Sequence, residues 1–425
     1  MSLIAILVLG LGFTSTPSIP QKQEQPPQVK ILQVKGRYLL LRNGKPYFIK
    51  GVGGEENLPL LKKSGGNSIR TWGAENKETL LDSAHKQGLS VTLGLWLGHL
   101  EHGFKYDDPK MVADQLEQCR KFVRQYRKHP ALLFWGLGNE MEGNGENPLI
   151  WKAVEEIAKM VKEEDPNHPT MTVVAEISPK KIENLKRSCP HIDVLGINSY
   201  GGLASLAIRL RDAGWDRPFV VTEFGPNGHW ECAKTPWGAP IEPSSTSKAT
   251  TYLTNYTRAI ATTPGWCLGS YAFLWGHKQE ATSTWFGLLL KDGTTTEAVD
   301  MLTYVWTGKY PKNRAPMILT LETPVKEAYV PPGSDWAANV LVQDPEGDPV
   351  TVVWELRSES ADRKSGGDAE SEPPAHPESL LRVNEGFLRF RVPTIEGAYR
   401  LFVIVTDNHR HSATMNIPFY VGKKP

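Results

Sequence analysis

The sequence predicts an α/β fold, a (β/α)8 TIM barrel followed by an immunoglobulin-like β-sandwich, and three observations support this prediction. Eight short, almost entirely apolar runs recur between residues 47 and 275. Amphipathic segments with apolar residues three and four positions apart separate these runs, a pattern typical of parallel strands covered by helices. After Trp306 the chain changes to short alternating runs separated by turn residues, which favours a β-sandwich.

The barrel elements follow from these apolar runs and the segments between them. The strand candidates are Tyr47–Val52, Ser68–Trp72, Ser90–Leu97, Leu132–Leu137, Met171–Ala175, Asp193–Asn198, Phe219–Glu223 and Leu268–Trp275. The helix candidates include Glu78–Gln87, Pro109–Arg127, Trp151–Lys162, Leu203–Arg211 and Ser247–Ala261. Eight such units have the size of a (β/α)8 barrel, and a doubly wound open sheet is the alternative.

The domain boundaries are predicted from changes in composition. Residues 1–29 are read as signal peptide and linker, 30–309 as the catalytic barrel, and 310–425 as the sandwich. The sandwich strand candidates are Met317–Glu322, Ala338–Asp344, Val350–Arg357, Phe387–Val392, Tyr399–Asp407 and Asn416–Val421. The segment Ser358–Ser379, rich in Ser, Glu, Pro and Gly, is expected to be a long exposed loop.

The N-terminal apolar run Leu3–Phe13 has the length of a secretory signal and is too short to cross a bilayer as a helix. We therefore expect a secreted or periplasmic protein without stable membrane insertion. A loose hydrophobic tail or an uncleaved anchor is the alternative. The run has no Lys or Arg before it, which departs from the usual signal pattern.

Overall charge and cysteine content exclude several classes of function. Lys+Arg 48 against Asp+Glu 47 gives a formal net charge of +1, so no global field attracts nucleic acid. The four cysteines have neither CxxC spacing nor nearby histidines, which argues against zinc and favours small buried side chains. We expect no metal and no cofactor. Asp344, Glu346 and Asp348 are interpreted as a solvated turn rather than a Ca²⁺ site.

Two carboxylates lie where a barrel places its active site, at the carboxyl ends of strands. Glu140 follows the fourth run and Glu223 ends the seventh. Strands four and seven lie across a narrow bore from each other. A pair of opposed carboxylates is what a retaining glycosidase needs, although each glutamate alone could be a surface charge or a helix cap.

The motifs around these glutamates resemble a known family. They are Asn139-Glu140 after run four, Asn198-Ser199-Tyr200 after run six, and Thr222-Glu223-Phe224-Gly225 at run seven. They resemble those of retaining glycoside hydrolases with (β/α)8 barrels, and are most similar to the barrel domain of glycoside hydrolase family two. That family includes the beta-galactosidases, beta-glucuronidases and beta-mannosidases. The resemblance covers about residues 36 to 306.

The resemblance implies a role for each matching residue. Glu140 is expected to be the acid/base and Glu223 the nucleophile, while Asn139 would hydrogen-bond the sugar 2-hydroxyl. Tyr200 would orient Glu223, and Arg70 would hold the same carboxylate unless it forms only a structural ion pair. The remaining predicted substrate-binding residues are Trp72, Asn198 and Trp275.

The chain is rich in tryptophan, and 11 of the 13 lie at or before Trp306. Several lie at or just after predicted strand ends, on the same face as Glu140 and Glu223. We expect their flat rings to bind sugar faces, Trp275 foremost. These candidates are Trp72, Trp96, Trp230, Trp237, Trp275 and Trp285.

Three further side chains are weaker candidates for the site. Glu176 ends run five and could face the bore. His99 and His102 follow run three at a spacing that invites a metal interpretation, but no third ligand is apparent, so sugar-binding or loop histidines are favoured.

The leading hypothesis is an exported retaining beta-glycoside hydrolase that cleaves an oligo- or polysaccharide through a glycosyl-enzyme intermediate. A transglycosylase of glucanosyltransferase type would use the same mechanism with a sugar hydroxyl as acceptor. A noncatalytic carbohydrate-binding protein is the alternative from another class. In each case the expected partner is a beta-linked carbohydrate.

Overall fold

A computed structural model describes residues 28–364, 367–384 and 386–424. The predicted signal segment Leu3–Phe13 lies outside this range. The described chain begins with a small antiparallel sheet of β1 (Val29–Val34), β2 (Arg37–Arg42) and β3 (Lys45–Pro46). Val29 and Leu40 of this sheet share a core with residues at the starts of the barrel strands, so the sheet closes the amino-terminal end of the barrel.

The predicted barrel is confirmed as a closed ring of eight parallel strands. Each of the eight predicted strands is present, with ends that differ by up to three residues. The strands are β4 (Ile49–Gly53), β5 (Ser68–Arg70), β6 (Ser90–Leu95), β7 (Leu132–Leu137), β8 (Thr170–Ala175), β9 (Val194–Asn198), β10 (Phe219–Phe224) and β11 (Cys267–Ala272).

Helices alternate with these strands around the barrel. They are α1 (Leu58–Lys63), α2 (Glu78–Lys86), α3 (Pro109–Tyr126), α4 (Pro148–Glu164), α5 (Pro179–Ser188), α6 (Leu206–Asp212), α7 (Ser245–Asn255) and α8 (Glu297–Thr307). Asp108, Asn147 and Ser178 each accept a backbone N–H at a helix start, and a proline follows each of them. This combination of cap and proline fixes where α3, α4 and α5 begin.

Side chains fill the barrel interior, so the bore is a packed core below the mouth. The Tyr271 hydroxyl lies 3.0 Å from Ser68 Oγ and 2.6 Å from Thr92 Oγ1. Glycine is required beside this ring, because a Cβ at Gly51 would lie 2.4 Å from Tyr271 Cδ1. Substrate therefore has room only at the carboxyl ends of the strands.

Two packed sheets follow the barrel, as the alternating runs predicted. The remaining strands are β12 (Thr295–Thr296), β13 (Met317–Glu322), β14 (Tyr329–Val330), β15 (Asp335–Gln343), β16 (Val350–Ser358), β17 (Leu380–Asn384), β18 (Phe387–Arg391), β19 (Gly397–Asp407) and β20 (His411–Val421). One sheet has the order β13-β15-β18-β17 and the other β12-β20-β19-β16. Phe390 and Phe419, one from each sheet, lie in the shared core with ring centroids 6.5 Å apart.

The barrel and the sandwich share a sheet. Strand β12, which lies within the predicted barrel range, pairs in parallel with β20 of the sandwich. Arg400 of β19 is buried and donates to the Pro240 carbonyl of the barrel at 2.9 Å. The two parts therefore form one continuous body rather than two domains joined only by a linker.

Two further expectations concern cysteines and membranes. Cys119, Cys189 and Cys267 are buried free thiols and Cys232 is half-buried, as expected for cysteines used as small apolar side chains. Within the described ranges, no helix combines the length and the apolar character needed to cross a membrane.

Candidate active site

The predicted site residues converge on one cavity at the carboxyl ends of the strands. Arg70 is the last residue of β5, Asn198 is the last residue of β9, and Glu223 is the second-to-last residue of β10. Asn139 and Glu140 follow β7 within three residues. The cavity has a volume of about 760 Å³, and six of the predicted residues line it: Trp72, Asn139, Glu140, Asn198, Tyr200 and Glu223.

Three donors surround the carboxylate of Glu223. Arg70 Nη1 lies 2.9 Å from Oε1, and Trp72 Nε1 donates to the same oxygen at 3.1 Å. The Tyr200 hydroxyl donates to Oε2 at 2.8 Å. Burial and the neighbouring Glu223 charge raise the pKa of Tyr200, so its hydroxyl keeps its proton and remains a donor. This arrangement gives both oxygens of the Glu223 carboxylate hydrogen-bond partners and fixes its orientation.

Glu140 has a different environment in the same cavity. Burial, and next the negative charge of Glu223, raise its pKa to about 7, while a hydrogen bond from Asn198 Nδ2 at 2.7 Å opposes this shift. Its backbone has φ of +56°, a left-handed conformation that is uncommon for glutamate. Such strain is typical of functional positions, and here it turns Glu140 toward the cavity directly after strand β7.

A polar network fixes Asn139 between the two glutamates. Its Oδ1 accepts from Arg70 Nη2 at 2.6 Å and from Asn198 Nδ2 at 3.1 Å. Thr222 Oγ1 donates to Asn198 Oδ1 at 2.8 Å, which holds Asn198 in turn. With its oxygen used in this way, Asn139 offers its amide N–H groups to a ligand. This agrees with the predicted hydrogen bond to a sugar hydroxyl.

Arg70 does not line the cavity itself. It is buried behind Glu223 and Asn139 and contacts both. Its predicted role of holding the Glu223 carboxylate therefore agrees with the geometry, whereas direct contact with substrate does not.

The tryptophans divide into two groups. Trp72, Trp96 and Trp230 line the cavity, and Trp96 and Trp230 are 41% and 53% exposed. Trp285 is buried and donates to the Asn227 carbonyl at 3.0 Å. Trp237 packs on Tyr329 of the sandwich with ring centroids 5.2 Å apart. Only the first group can offer a ring face to a sugar in the cavity.

The structure corrects the expectation for Trp275. This residue is 1% exposed and lies in the barrel core, with its indole N–H donating to the Glu56 carbonyl at 2.6 Å. Strand β11 ends at Ala272, three residues earlier than predicted. Phe273 and Leu274 line the cavity instead, and a cis peptide bond joins them. Phe273 packs edge-on against Trp72 and Tyr200.

A charged cluster that the sequence did not assign lies beside this aromatic group. Lys278 Nζ is 2.5 Å from Glu280 Oε2 and 5.6 Å from the Phe273 ring centroid. His229 Nε2 is 3.6 Å from the other oxygen of Glu280. All of these residues line the cavity. Lys278 and Glu280 closely follow the eighth apolar run, and this position is the sequence signal that could have identified them.

The weaker candidates also have defined surroundings. Glu176 lines the cavity and pairs with Arg209 at 2.6 Å. His99 is buried against Trp96, with nearly parallel rings and centroids 4.8 Å apart. His102 pairs with Asp368 of the sandwich at 3.0 Å. The two histidines thus have ring and carboxylate partners consistent with loop or sugar-site residues.

Among the described residues, one acidic group has the spacing for a metal ion, formed by Asp344, Asp348 and Asp407 in the sandwich. Asp344 Oδ1 already accepts from the backbone N–H of Glu346 and Asp348, as expected for a turn. Asp407 Oδ1 accepts from the His411 N–H at 2.8 Å. None of these three aspartates lines the cavity.

Two carboxylates in one cavity, with hydrogen-bond donors around one and a raised pKa on the other, form the arrangement that retaining glycoside hydrolases use. Residues 42–229 match the family model described as glycosyl hydrolases family 2, TIM barrel domain. The predicted resemblance of the barrel to the family two barrel domain is confirmed.

Known proteins with related sequences and folds agree with this result. A beta-glucuronidase of Bacteroides fragilis is 30% identical over 120 residues, which is 27% of this chain and 17% of that protein. The solved beta-D-glucuronidase of Dictyoglomus thermophilum matches 67% of this chain and 54% of its own, with 20% identity and a TM-score of 0.53. The solved beta-glucuronidase of Bacteroides uniformis matches 93% of this chain and 48% of its own, with 15% identity and a TM-score of 0.51. This chain spans about half the length of these solved relatives, which show a shared fold.

Proposed function

We propose that this protein is a retaining beta-glycoside hydrolase that cleaves a beta-linked oligo- or polysaccharide by double displacement. The observation that supports this most is the contrast between two glutamates in one cavity. The carboxylate of Glu223 accepts hydrogen bonds from Arg70, Trp72 and Tyr200, an arrangement that suits a nucleophile. Glu140 has a pKa raised to about 7 and can carry a proton near neutral pH. We therefore assign Glu223 as the nucleophile and Glu140 as the acid.

In the first step, Glu223 attacks the anomeric carbon and forms a glycosyl ester. The bond from that carbon to the leaving-group oxygen breaks, and Glu140 gives its proton to this oxygen. Asn139 donates to the hydroxyl next to the reacting carbon, an interaction that strengthens as the ring flattens toward an oxocarbenium ion. Positive charge on the ring is stabilised by the remaining negative charge of Glu223.

In the second step, Glu140 acts as a base. Ester formation removes the Glu223 charge, which had helped to raise the pKa of Glu140, so Glu140 is now more acidic and ionises. It takes a proton from water, and the resulting hydroxide attacks the anomeric carbon from the face opposite the ester. The ester bond breaks and Glu223 is regenerated as a carboxylate. A sugar hydroxyl in place of water would give transglycosylation, the second form of the same proposal.

Several beta-linked sugars are candidates for the glycone, the sugar whose anomeric bond is cleaved. Relatives carry the name beta-glucuronidase, so a beta-glucuronide is the first sugar to test. The cavity also presents Glu176, Glu231 and Glu280, whose oxygens suit the hydroxyls of neutral sugars. A panel should therefore contain beta-glucuronides, beta-galactosides, beta-mannosides and beta-glucosides.

We also propose that the protein is exported and that its C-terminal sandwich is immunoglobulin-like. Export is supported by the apolar run Leu3–Phe13. The strand order supports the second proposal. When the seven main strands are lettered A to G along the chain, one sheet has the order A-B-E-D, formed by β13, β15, β18 and β17. The other sheet contains C, F and G, which are β16, β19 and β20. That division between sheets is the one found in immunoglobulin constant domains.

The test is to incubate the purified protein with the panel and to follow the anomeric configuration of the first product by NMR. Retention of the beta configuration is expected. Inversion would exclude the covalent intermediate. Binding without turnover of any glycan would favour the noncatalytic carbohydrate-binding protein.

A further inference from the structure

We propose that the C-terminal sandwich completes the active site, and that its residues Lys364 and Asp368 form a subsite with Trp96 of the barrel for a second sugar unit of the substrate. This inference rests on the proposed glycoside hydrolase function and specifies that substrate as at least a disaccharide. Lys364, Gly367 and Asp368 line the same cavity as Glu140 and Glu223. They lie in the loop between β16 and β17 of the sandwich.

The barrel holds this loop in place through a buried carboxylate. Glu370 Oε2 accepts from the backbone N–H of Ala281, in the barrel loop after β11, at 2.8 Å. Its Oε1 accepts from the backbone N–H of Lys364 at 3.2 Å. Glu370 is 8% exposed, so these bonds lie away from solvent. One side chain thereby fixes Lys364 relative to the barrel mouth.

Two further contacts join the same loop to the barrel. Lys291 Nζ of the barrel lies 2.6 Å from Glu372 Oε1. Gly367 approaches Lys278 so closely that an added Cβ would lie 3.2 Å from the Lys278 ammonium nitrogen. The described residues of the loop therefore contact the cavity wall formed after strand β11, while many of their side chains are exposed, as the composition predicted.

On the opposite side, Asp368 joins a row of stacked rings. Its carboxylate lies 3.0 Å from His102 Nε2. His102 stacks on His99 with ring centroids 5.4 Å apart, and His99 stacks on Trp96 at 4.8 Å with 14° between the ring planes. Trp96 keeps 41% of its surface exposed in the cavity. The row fixes the Trp96 ring at the edge of the cavity that the sandwich loop also lines.

The chemistry of these groups suits a sugar ring. An exposed indole offers an apolar face, the Lys364 ammonium donates hydrogen bonds, and the Asp368 carboxylate accepts them from hydroxyls. The groups around Glu223 are a different set, namely Arg70, Trp72 and Tyr200. Lys364 instead pairs with Asp362 at 2.9 Å, within the sandwich loop. A unit bound at Trp96 is therefore adjacent to the hydrolysed sugar rather than identical with it.

The test compares two substrates that share one glycone: an aryl beta-glycoside with a single sugar and the corresponding beta-linked trisaccharide. The variants are Lys364→Ala, Asp368→Asn and Trp96→Ala. For each we expect the ratio of kcat/KM values, trisaccharide over aryl glycoside, to fall about tenfold from the wild-type ratio. The exposed sandwich residues Lys326 and Glu322 provide matched controls, and Lys326→Ala and Glu322→Gln should keep the wild-type ratio.

Ratios within twofold of wild type in all three variants of an active enzyme would overturn the subsite and leave the proposed function intact. If the wild-type protein turns over neither substrate with any glycone of the panel, the proposed function fails, and the subsite fails with it. The two failures are therefore distinguishable by the activity of the wild-type protein.

A second variant tests whether Glu370 positions the loop. We expect Glu370→Ala to raise KM for the trisaccharide more than it lowers kcat, because a loosened loop weakens binding at the second unit. Glu370→Gln keeps one acceptor oxygen and should recover part of the lost affinity. Equal loss of kcat for both substrates, with no recovery by Gln, would mean that Glu370 is only structural and would contradict its positioning role.

Discussion

At the residue scale, the two glutamates of the cavity have different neighbours, and the roles proposed for them depend on this difference. Glu223 receives hydrogen bonds from a guanidinium, an indole and a phenol. Glu140 receives one from the neutral amide of Asn198, and burial raises its pKa to about 7. The pairing of these residues could be predicted from sequence, since each ends an apolar run. The difference in protonation could not, because burial and the approach of Glu223 depend on the closed barrel.

The first prediction concerns the pH dependence of Glu140. Because the first step needs its proton, kcat/KM should fall as pH rises through about 7. In Glu223→Gln the pKa of Glu140 should decrease, since the Glu223 charge is gone, but should stay above 4.5, since burial is the larger cause. NMR titration of the Glu140 carboxyl carbon in both proteins measures this change. An identical pKa in the two proteins would show that Glu223 has no influence on Glu140.

The second prediction concerns the phenol that contacts Glu223. Tyr200→Phe removes a hydrogen bond to a charged group, which is worth about 1.5–3 kcal/mol, so kcat/KM should fall roughly 10- to 100-fold. Tyr304→Phe, at an exposed tyrosine of α8, is the matched control and should keep wild-type kinetics. Steady-state assays with one aryl glycoside compare them. A decrease in kcat/KM of less than twofold in Tyr200→Phe would mean that Tyr200 has no role in catalysis.

At the scale of elements, the ends of strands were the least predictable feature. The residues from Ser270 to Trp275 are small or apolar, and a strand buried on both faces lacks the alternation that would mark its end. The chain leaves the strand after Ala272, which places Phe273 in the cavity wall and Trp275 in the barrel core. The positions of Glu140 and Glu223 were predictable because a charged residue after an apolar run marks the strand end directly.

The third prediction concerns helix α8. Burial raises the pKa of Asp300 to about 7, and its carboxylate accepts from the backbone N–H of Ala315 at 2.7 Å. The unfolded chain ionises near 3.8, so the folded state holds an extra proton between these values. The free energy of unfolding should therefore decrease between pH 4 and 7, by on the order of 3 kcal/mol from this group.

Asp300→Asn keeps an acceptor for Ala315 but cannot ionise. Its stability relative to wild type should therefore increase as pH rises from 4 to 8. Urea unfolding at several pH values measures this difference. A difference that stays constant across the range would mean that Asp300 ionises normally in the folded protein.

At the scale of the whole molecule, the contact between barrel and sandwich could not be predicted. The alternating runs predicted the sandwich strands, and the apolar runs predicted the barrel strands. Arg400, however, lies in a run that reads as an ordinary half-buried strand, and Glu359 lies in a segment predicted to be exposed. Their burial against Pro240 arises only when the two parts meet. The sandwich contribution to the active site was missed for the same reason.

The fourth prediction concerns this contact. Arg400 lies 2.9 Å from Glu359 Oε1 and donates to Asn416 Oδ1 at 2.7 Å. Arg400→Met removes the buried partner of Glu359 and leaves its carboxylate only Arg363, at 3.2 Å, so the free energy of unfolding should fall by about 3 kcal/mol. Arg389→Met, at an exposed pair with Asp335, should cause a much smaller loss. Urea unfolding compares the two. Equal losses would mean that the Arg400 pair does not hold the two parts together.

The central claim is that Glu223 forms a covalent bond with the sugar, and trapping of the intermediate tests it most directly. The protein is incubated with a panel of 2-deoxy-2-fluoro beta-glycosyl fluorides, digested, and analysed by peptide mass spectrometry. One fluoroglycosyl group should be attached to the peptide that contains Glu223, and Glu223→Gln should remain unlabelled. A label on Glu140 or on any other residue, or turnover with inversion at the anomeric carbon, would contradict the account.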